Sequence, residues 1–271
     1  MNVVLFCFAG RQPNMEMQLQ WVEQVLREND NVEYHVWDLT RNNPDHVFVQ
    51  SISGDRVTVK DDFRGGNPCS AWDDVWKWYA ARPEYRDTLF VKVDDDVVYF
   101  DASRWTDFVQ AVDANRGQVV SALTVNNGAS TPLIPGIEAW LTERNFPLLD
   151  VHESNEYADH AHKWFFEHHA ELTDRPVEVK STDDWVSINF IGMSWHVLCC
   201  VAQMVKTPSP AHIAGRDWRP GTKLGDEGAC NMLPRLIVDG VVAGHLTFGP
   251  QKVTAVQADR WRKGYRGLVA A

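Results

Sequence analysis

The chain has 271 residues, 44% of them apolar, and carries 37 Asp and Glu against 26 Lys and Arg, a formal net charge of −11. Its 12 Trp and 12 Phe supply enough apolar surface to offset the entropy of ordering, which excludes a disordered, collagen-like or coiled-coil chain. The acidic balance argues against a broad grip on nucleic acid, whose phosphates draw on Lys and Arg, while leaving room for a local basic patch.

From Met1 the sequence passes straight into an apolar run at residues 3–8, ended by Ala9-Gly10, which reads as a central parallel strand. No basic leader precedes it and no window reaches the roughly 20 apolar residues of a membrane span, so the expected location is cytoplasmic, with no membrane partner. Met15, Leu19, Val22 and Leu26 share one helical face, and residues 32–37 form a second strand ending at Asp38. This order predicts an α/β fold, a mostly parallel central sheet with helices on both faces. Two strand-like runs at 48–52 and 57–59 flank Ser53-Gly54-Asp55 and predict a hairpin. After a break at Gly65-Gly66-Asn67-Pro68, Ser70 with Asp73 forms a capping box, and Trp72, Val75, Trp76 and Tyr79 mark a helix that Pro83 stops.

Residues 88–93 are the next buried strand. A helix follows from Ser103 as N-cap to Gly117, then a strand at 119–125. Residues 126–150, with Pro132, Pro135 and Pro147, predict a long irregular segment. Helical spacing returns from Tyr157 to Leu172, a strand at 188–191 runs into a helix at 197–205, and residues 236–242 make a strand pair or one bent strand turning at Asp239-Gly240. No linker separates two cores, so 1–271 is taken as a single domain in three parts, residues 1–125, 126–249 and a basic tail (250–271). Five cysteines, odd in number and without CxxC spacing, read as reduced thiols.

Chemistry concentrates in Lys92-Val93-Asp94-Asp95-Asp96-Val97. Three carboxylates inside an apolar run repel one another and resist burial, so they need water or a cation. Alternation along an extended chain sends Asp94 and Asp96 to one side, where they can share a hard divalent ion.

This stretch resembles the Asp-x-Asp element of metal-dependent GT-A glycosyltransferases and is most similar to the β1,3-galactosyltransferase-like families, whose strand reads Lys-x-Asp-Asp-Asp-Val. The order of elements follows suit: a first strand, a helix before the acidic motif, Gly192-Met193-Ser194-Trp195-His196, the pair in Gly225-Asp226-Glu227-Gly228, and a later histidine. The resemblance implies a GT-A-like domain, a Mn²⁺ or Mg²⁺ ion on the diphosphate of a nucleotide sugar, with UDP the expected nucleotide, and transfer of the sugar to an acceptor hydroxyl. A cation suits that chemistry because the departing nucleoside diphosphate gathers negative charge.

On the same resemblance, Asp94, Asp96 and His245 are the metal ligands and Asp95 belongs to the donor site. Asp226 and Glu227 supply the catalytic base, Asp226 first; a helix N-terminus with acids favoured by its dipole accounts for the pair equally well. Arg11 and Asp38, after the first two strands, stand where GT-A enzymes touch the nucleotide, or are surface loop residues. The run from His245 to Lys252 is one residue longer than the His-x-x-Gly-x-x-Lys motif of glycogenin-like enzymes, in which the lysine contacts the diphosphate. The tail gathers Lys252, Arg260, Arg262, Lys263 and Arg266 with Trp261 and Tyr265, either to close over a phosphate or as a solvated terminus.

The acceptor is open: a small molecule, a glycan, a protein, or a hydroxymethylated DNA base as in phage-type DNA glycosyltransferases, where aromatics could stack a flipped base. A nucleotidyltransferase and a non-catalytic nucleotide-sugar-binding protein are the rival readings. Gly10-Arg11 is too short for the Gly-rich loop of the former, and no P-loop or GxGxxG is present.

Overall fold

Side-chain alternation along the first strand, β1 (Val3–Ala9), divides the protein into two cores. Val3, Leu5, Cys7 and Ala9 enter one apolar cluster and Val4, Phe6 and Phe8 the other, all buried, as befits a strand covered on both faces. The computed structural model describes residues 1–66, 68–218 and 220–269, so Asn67 of the expected break and the last two residues of the tail lie outside the described residues.

After β1 come α1 (Gln12–Glu28), β2 (Val32–Asp38), α2 (Asn43–Ser51), β3 (Val57–Lys60), α3 (Pro68–Ala80), β4 (Leu89–Asp94) and β5 (Val97–Phe100). There follow α4 (Trp105–Ala114), β6 (Val119–Val125), α5 (Pro135–Arg144), α6 (Asn155–Thr173), β7 (Glu178–Thr182), β8 (Phe190–Ser194) and α7 (Trp195–Met204). A two-stranded pair, β9 (His212–Ile213) and β10 (Arg216–Asp217), precedes α8 (Asp226–Asn231), β11 (Arg235–His245) and α9 (Ala255–Val269).

The nine-stranded sheet runs β3-β2-β1-β4-β8-β6-β11-β5, with β7 also on β11. β1 to β4 are parallel, and β6 and β11 run with them across the antiparallel β8. Among the described residues only β5, β7 and β8 oppose the common direction. Helices α1, α4, α5, α6 and α9 pack on one face and α3, α7 and α8 on the other, so the α/β expectation of a mostly parallel sheet covered on both faces holds.

Several boundaries differ from the sequence reading. The expected hairpin at 48–59 is instead α2 followed by β3, which pairs in parallel with β2. Asn42 accepts from the Asp45 N–H and Pro44 sits in the first turn, a helix start that outweighs the apolar run behind it. Ser70 lies inside α3 rather than at its cap. Asp101, not Ser103, caps the 3₁₀ turn that leads into α4, and α4 ends at Ala114, before Gly117.

Residues 126–150 are not irregular. Each of the three prolines starts a helical turn: Pro132 at 131–133, Pro135 at α5 and Pro147 before 148–152. Of the two readings of 236–242, one bent strand is correct. Its register on β6 slips between Val238 and Val242, around Gly240 at φ +83°, where a Cβ would stand 2.9 Å from the Pro176 carbonyl oxygen.

The basic tail is a helix of the fold. Trp261 and Tyr265 of α9 are buried in the core, while Arg260 pairs with Asp159 and Arg262 with Asp259 and Asn14.

Candidate active site

Strand order creates the site. From β1 the chain winds outward through β2 to β3, then crosses back to place β4 on the other side of β1. Crossovers leave in opposite directions at the β1/β4 boundary, which opens a crevice beyond the carboxyl ends of those strands, the usual ligand position in such sheets. A cavity of about 840 Å³ lies there, lined by Gly10 and Arg11 after β1, the acidic triplet after β4, and Asp226 and Glu227 at the start of α8. Among the described residues, seven carboxylates line it against four Lys or Arg side chains, an excess of negative charge.

The alternation expected for the triplet fails because the chain turns at Asp95 and Asp96 between β4 and β5. Asp95 and Asp96 therefore share one partner, Arg11, whose Nη2 lies 2.5 Å from Asp95 Oδ1 and 2.8 Å from Asp96 Oδ2. Asp94 faces the other way, with Oδ1 2.6 Å from Lys92 Nζ and Oδ2 accepting from Asn189 Nδ2 at 3.0 Å. Both Asp94 oxygens are thus engaged by the protein. Its burial, against the attraction of Lys92, pushes it up to about 6.

His245 ends β11, whose last residues pair with β5, and this pairing brings its Nε2 to 3.2 Å from Asp96 Oδ2. Burial alone would raise Asp96, but the neighbouring His245 and Arg11 hold it well below the usual carboxylate range. Asp96 Oδ1 and His245 Nδ1 are buried with no hydrogen-bond partner among the described residues. The structure therefore brings Asp96 and His245 together and sets Asp94 apart from them. No group of three or more His, Cys, Asp or Glu side chains gathers as a metal shell among the described residues.

Lys92, 1% exposed, is the residue that sequence reading left as mere motif context. It follows Val91 on the face shared with Phe8, donates to the Ile188 carbonyl at 2.9 Å, and stands 3.9 Å from Asp226 Oδ2. Asp226 also accepts from Trp76 Nε1 at 3.3 Å and from the Glu227 N–H at 2.9 Å, which fixes it to the wall. Glu227 keeps solvent access through the cavity mouth yet is walled by protein, and this burial together with the charge of Asp226 pushes it up to about 6. Asp73 of α3, buried beside Asp226, is likewise pushed up to about 6; nothing in its sequence neighbourhood announces this, because α3 and α8 meet only in the fold.

Two expected donor contacts lie elsewhere. Asp38 is fully buried, bonded to Thr40, His46 and Gln50, and anchors α2; its neighbours Leu39, Arg41 and Asn42 line the cavity in its place. Lys252 is exposed just past Gly249 and Pro250, which do line it. The described cysteines, Cys7, Cys199, Cys200 and Cys230, are free thiols, and no helix among the described residues is long and apolar enough to cross a membrane.

The fold and crevice define an α/β protein with a polar cavity at a topological switch point. No protein-family model and no curated protein matches the chain. Among solved structures it is similar to a mannosyltransferase from Pyrobaculum calidifontis in complex with GDP-Man and Mn²⁺, at 10% identity and a TM-score of 0.49, covering 99% of this chain and 64% of that one. A second similarity, to a CMP:2-keto-3-deoxy-manno-octonic acid synthetase complexed with CTP, has 14% identity and a TM-score of 0.32 over 48% of this chain and 56% of the other.

Proposed function

We propose that this protein is a metal-dependent glycosyltransferase that moves a sugar from a nucleotide-diphosphate sugar to an acceptor hydroxyl. The observation that carries the reading is the buried Asp96–His245 pair, of which Asp96 lines the β1/β4 crevice, with its two unsatisfied atoms. The 3.2 Å between His245 Nε2 and Asp96 Oδ2 would let both groups reach one cation, and an ionised carboxylate beside an imidazole suits Mn²⁺. Asp96 and His245 would hold the ion, leaving its other positions to diphosphate oxygens and water. A cation held there would supply positive charge to offset that gathering on the departing diphosphate.

In the transfer, the acceptor oxygen bonds to the anomeric carbon while that carbon's bond to the diphosphate oxygen breaks, and the electron pair leaves with the nucleoside diphosphate. The acceptor proton passes to a carboxylate. Glu227 suits this role better than Asp226, because Asp226 is tied to Trp76 and Lys92 whereas Glu227 reaches solvent. Arg11 and Asp95 form the floor between the strand ends.

The test is a thermal-shift and hydrolysis screen of UDP- and GDP-sugars with Mn²⁺ or with EDTA. Stabilisation and nucleotide release that need the metal support the reading; full turnover in excess EDTA removes it.

A further inference from the structure

Leu246, the residue after His245, is gripped at both of its backbone groups. Its N–H donates to the Asp96 carbonyl at 2.7 Å, and its own carbonyl accepts from His162 Nε2 at 2.8 Å. A carbonyl only accepts, so the His162 proton is on Nε2, and Nδ1 accepts from the Tyr265 hydroxyl at 2.9 Å. His162 is fully buried, which together with nearby His245 and Arg260 holds it down to about 3 and keeps the ring neutral. The grip therefore runs from α9 through α6 to the backbone of both halves of the Asp96–His245 pair.

Two further features point the same way. Tyr265 packs directly on the strand before His245: a Cβ on Gly244 would stand 2.5 Å from its ring. From just past the end of β6, Asn126 Nδ2 donates to the His245 and Leu246 carbonyls, and its oxygen accepts from Gln251 at 2.9 Å. All four side chains are buried, so none of these bonds competes with water.

We propose that His162 and Tyr265 are positioning residues for the metal pair: by fixing Leu246 against Asp96 they set the separation of the Asp96 carboxylate and the His245 imidazole before a cation arrives. This rests on the metal reading above. It makes α9 a support for the site although none of its described residues lines the cavity.

The experiment measures Mn²⁺ affinity in the presence of UDP by the electron paramagnetic resonance signal of free Mn²⁺, for the wild type, Tyr265→Phe, His162→Leu and His162→Gln, with urea midpoints alongside. His162→Leu should weaken Mn²⁺ binding about 10-fold, the scale for losing a group that orients a metal ligand. Tyr265→Phe, nearly isosteric, should weaken it severalfold, and His162→Gln should recover part of the loss because its amide can still donate to the Leu246 carbonyl. Should His162→Leu not fold, Tyr265→Phe decides. Wild-type affinity in folded variants, even with lowered urea midpoints, overturns the inference and leaves the metal reading standing; no Mn²⁺ binding by the wild type overturns both.

Discussion

Arg11 and Asp95 form a two-point fork across the crevice, with Nε 2.9 Å from Oδ2 and Nη2 2.5 Å from Oδ1, joining the ends of β1 and β4. Gly10 lets the carboxylate come this close, since a Cβ there would stand 3.0 Å from Asp95 Oδ2. The same guanidinium also serves Asp96, as Lys92 serves both Asp94 and Asp226. One cation for two acids, twice over, is how the crevice holds its shape and still stays negative.

Arg11→Lys tests the fork. An ammonium cannot span both oxygens, and Asp95 stays buried with a weaker partner. Because Arg11 is half-exposed, the loss should be about 1–2 kcal/mol, below the ~3–5 kcal/mol of breaking a fully buried pair. Urea denaturation measures it, and an unchanged midpoint would mean the fork adds nothing to stability.

The two outer acids of the triplet should separate by function. Asp96→Asn removes a charge beside His245 and should abolish the Mn²⁺-dependent thermal shift with UDP while the fold survives. Asp94→Asn instead leaves Lys92 facing a neutral amide, so it should lower the melting temperature but keep most of the Mn²⁺-dependent shift. Equal loss of that shift in both variants would return Asp94 to the metal site.

Turnover should rise with pH through about 6 and level off above it, because Glu227 takes a proton only when ionised and its carboxyl sits at about 6. Glu227→Gln should lower kcat by roughly 10² to 10⁴-fold and remove that limb of the profile, while leaving nucleotide affinity intact. Stability has the opposite sign: the folded state favours the protonated acid, so stability falls as pH rises from the ordinary 4.5 through about 6, a loss the amide does not suffer. Glu227→Gln should therefore be no less stable than wild type at pH 7.5. If only Asp226→Asn loses turnover, the base is Asp226.

Much of the crevice was legible because its parts are local in sequence. The apolar run ending at Ala9-Gly10 and the triplet after a buried strand each identify a strand end, and parallel order brings such ends together. What was not legible depends on chain reversal or on distance. The turn at Asp95 and Asp96 splits a triplet that alternation would have kept in phase, and no local signal distinguishes that turn from a continuing strand. Asp38 looked like a donor contact because it ends β2, yet the helix behind it, misread as a hairpin, supplies His46 and Gln50 to occupy it. His245 was found only through resemblance, whereas the Lys92 bridge to Asp226 spans too much sequence for any spacing rule.

The tail's composition does not decide between a phosphate clamp and a docked helix: basic residues with aromatics between them fit both. Two glycines, one in the tail and one on β11, carry the missing signal. Gly264 lets α9 approach α6, where a Cβ would stand 2.4 Å from the Phe166 ring, and Gly244 receives Tyr265 on β11. Gly244→Ala should therefore cost about 1–3 kcal/mol by overpacking, well beyond the change expected for an exposed glycine. Truncation before Lys252 should remove Trp261 and Tyr265 from the core and lower the urea midpoint sharply, equally at low and moderate salt, because the lost contacts are largely apolar. A truncated chain that keeps the wild-type midpoint but loses nucleotide binding in a salt-dependent way would restore the clamp and sink the docked-helix account.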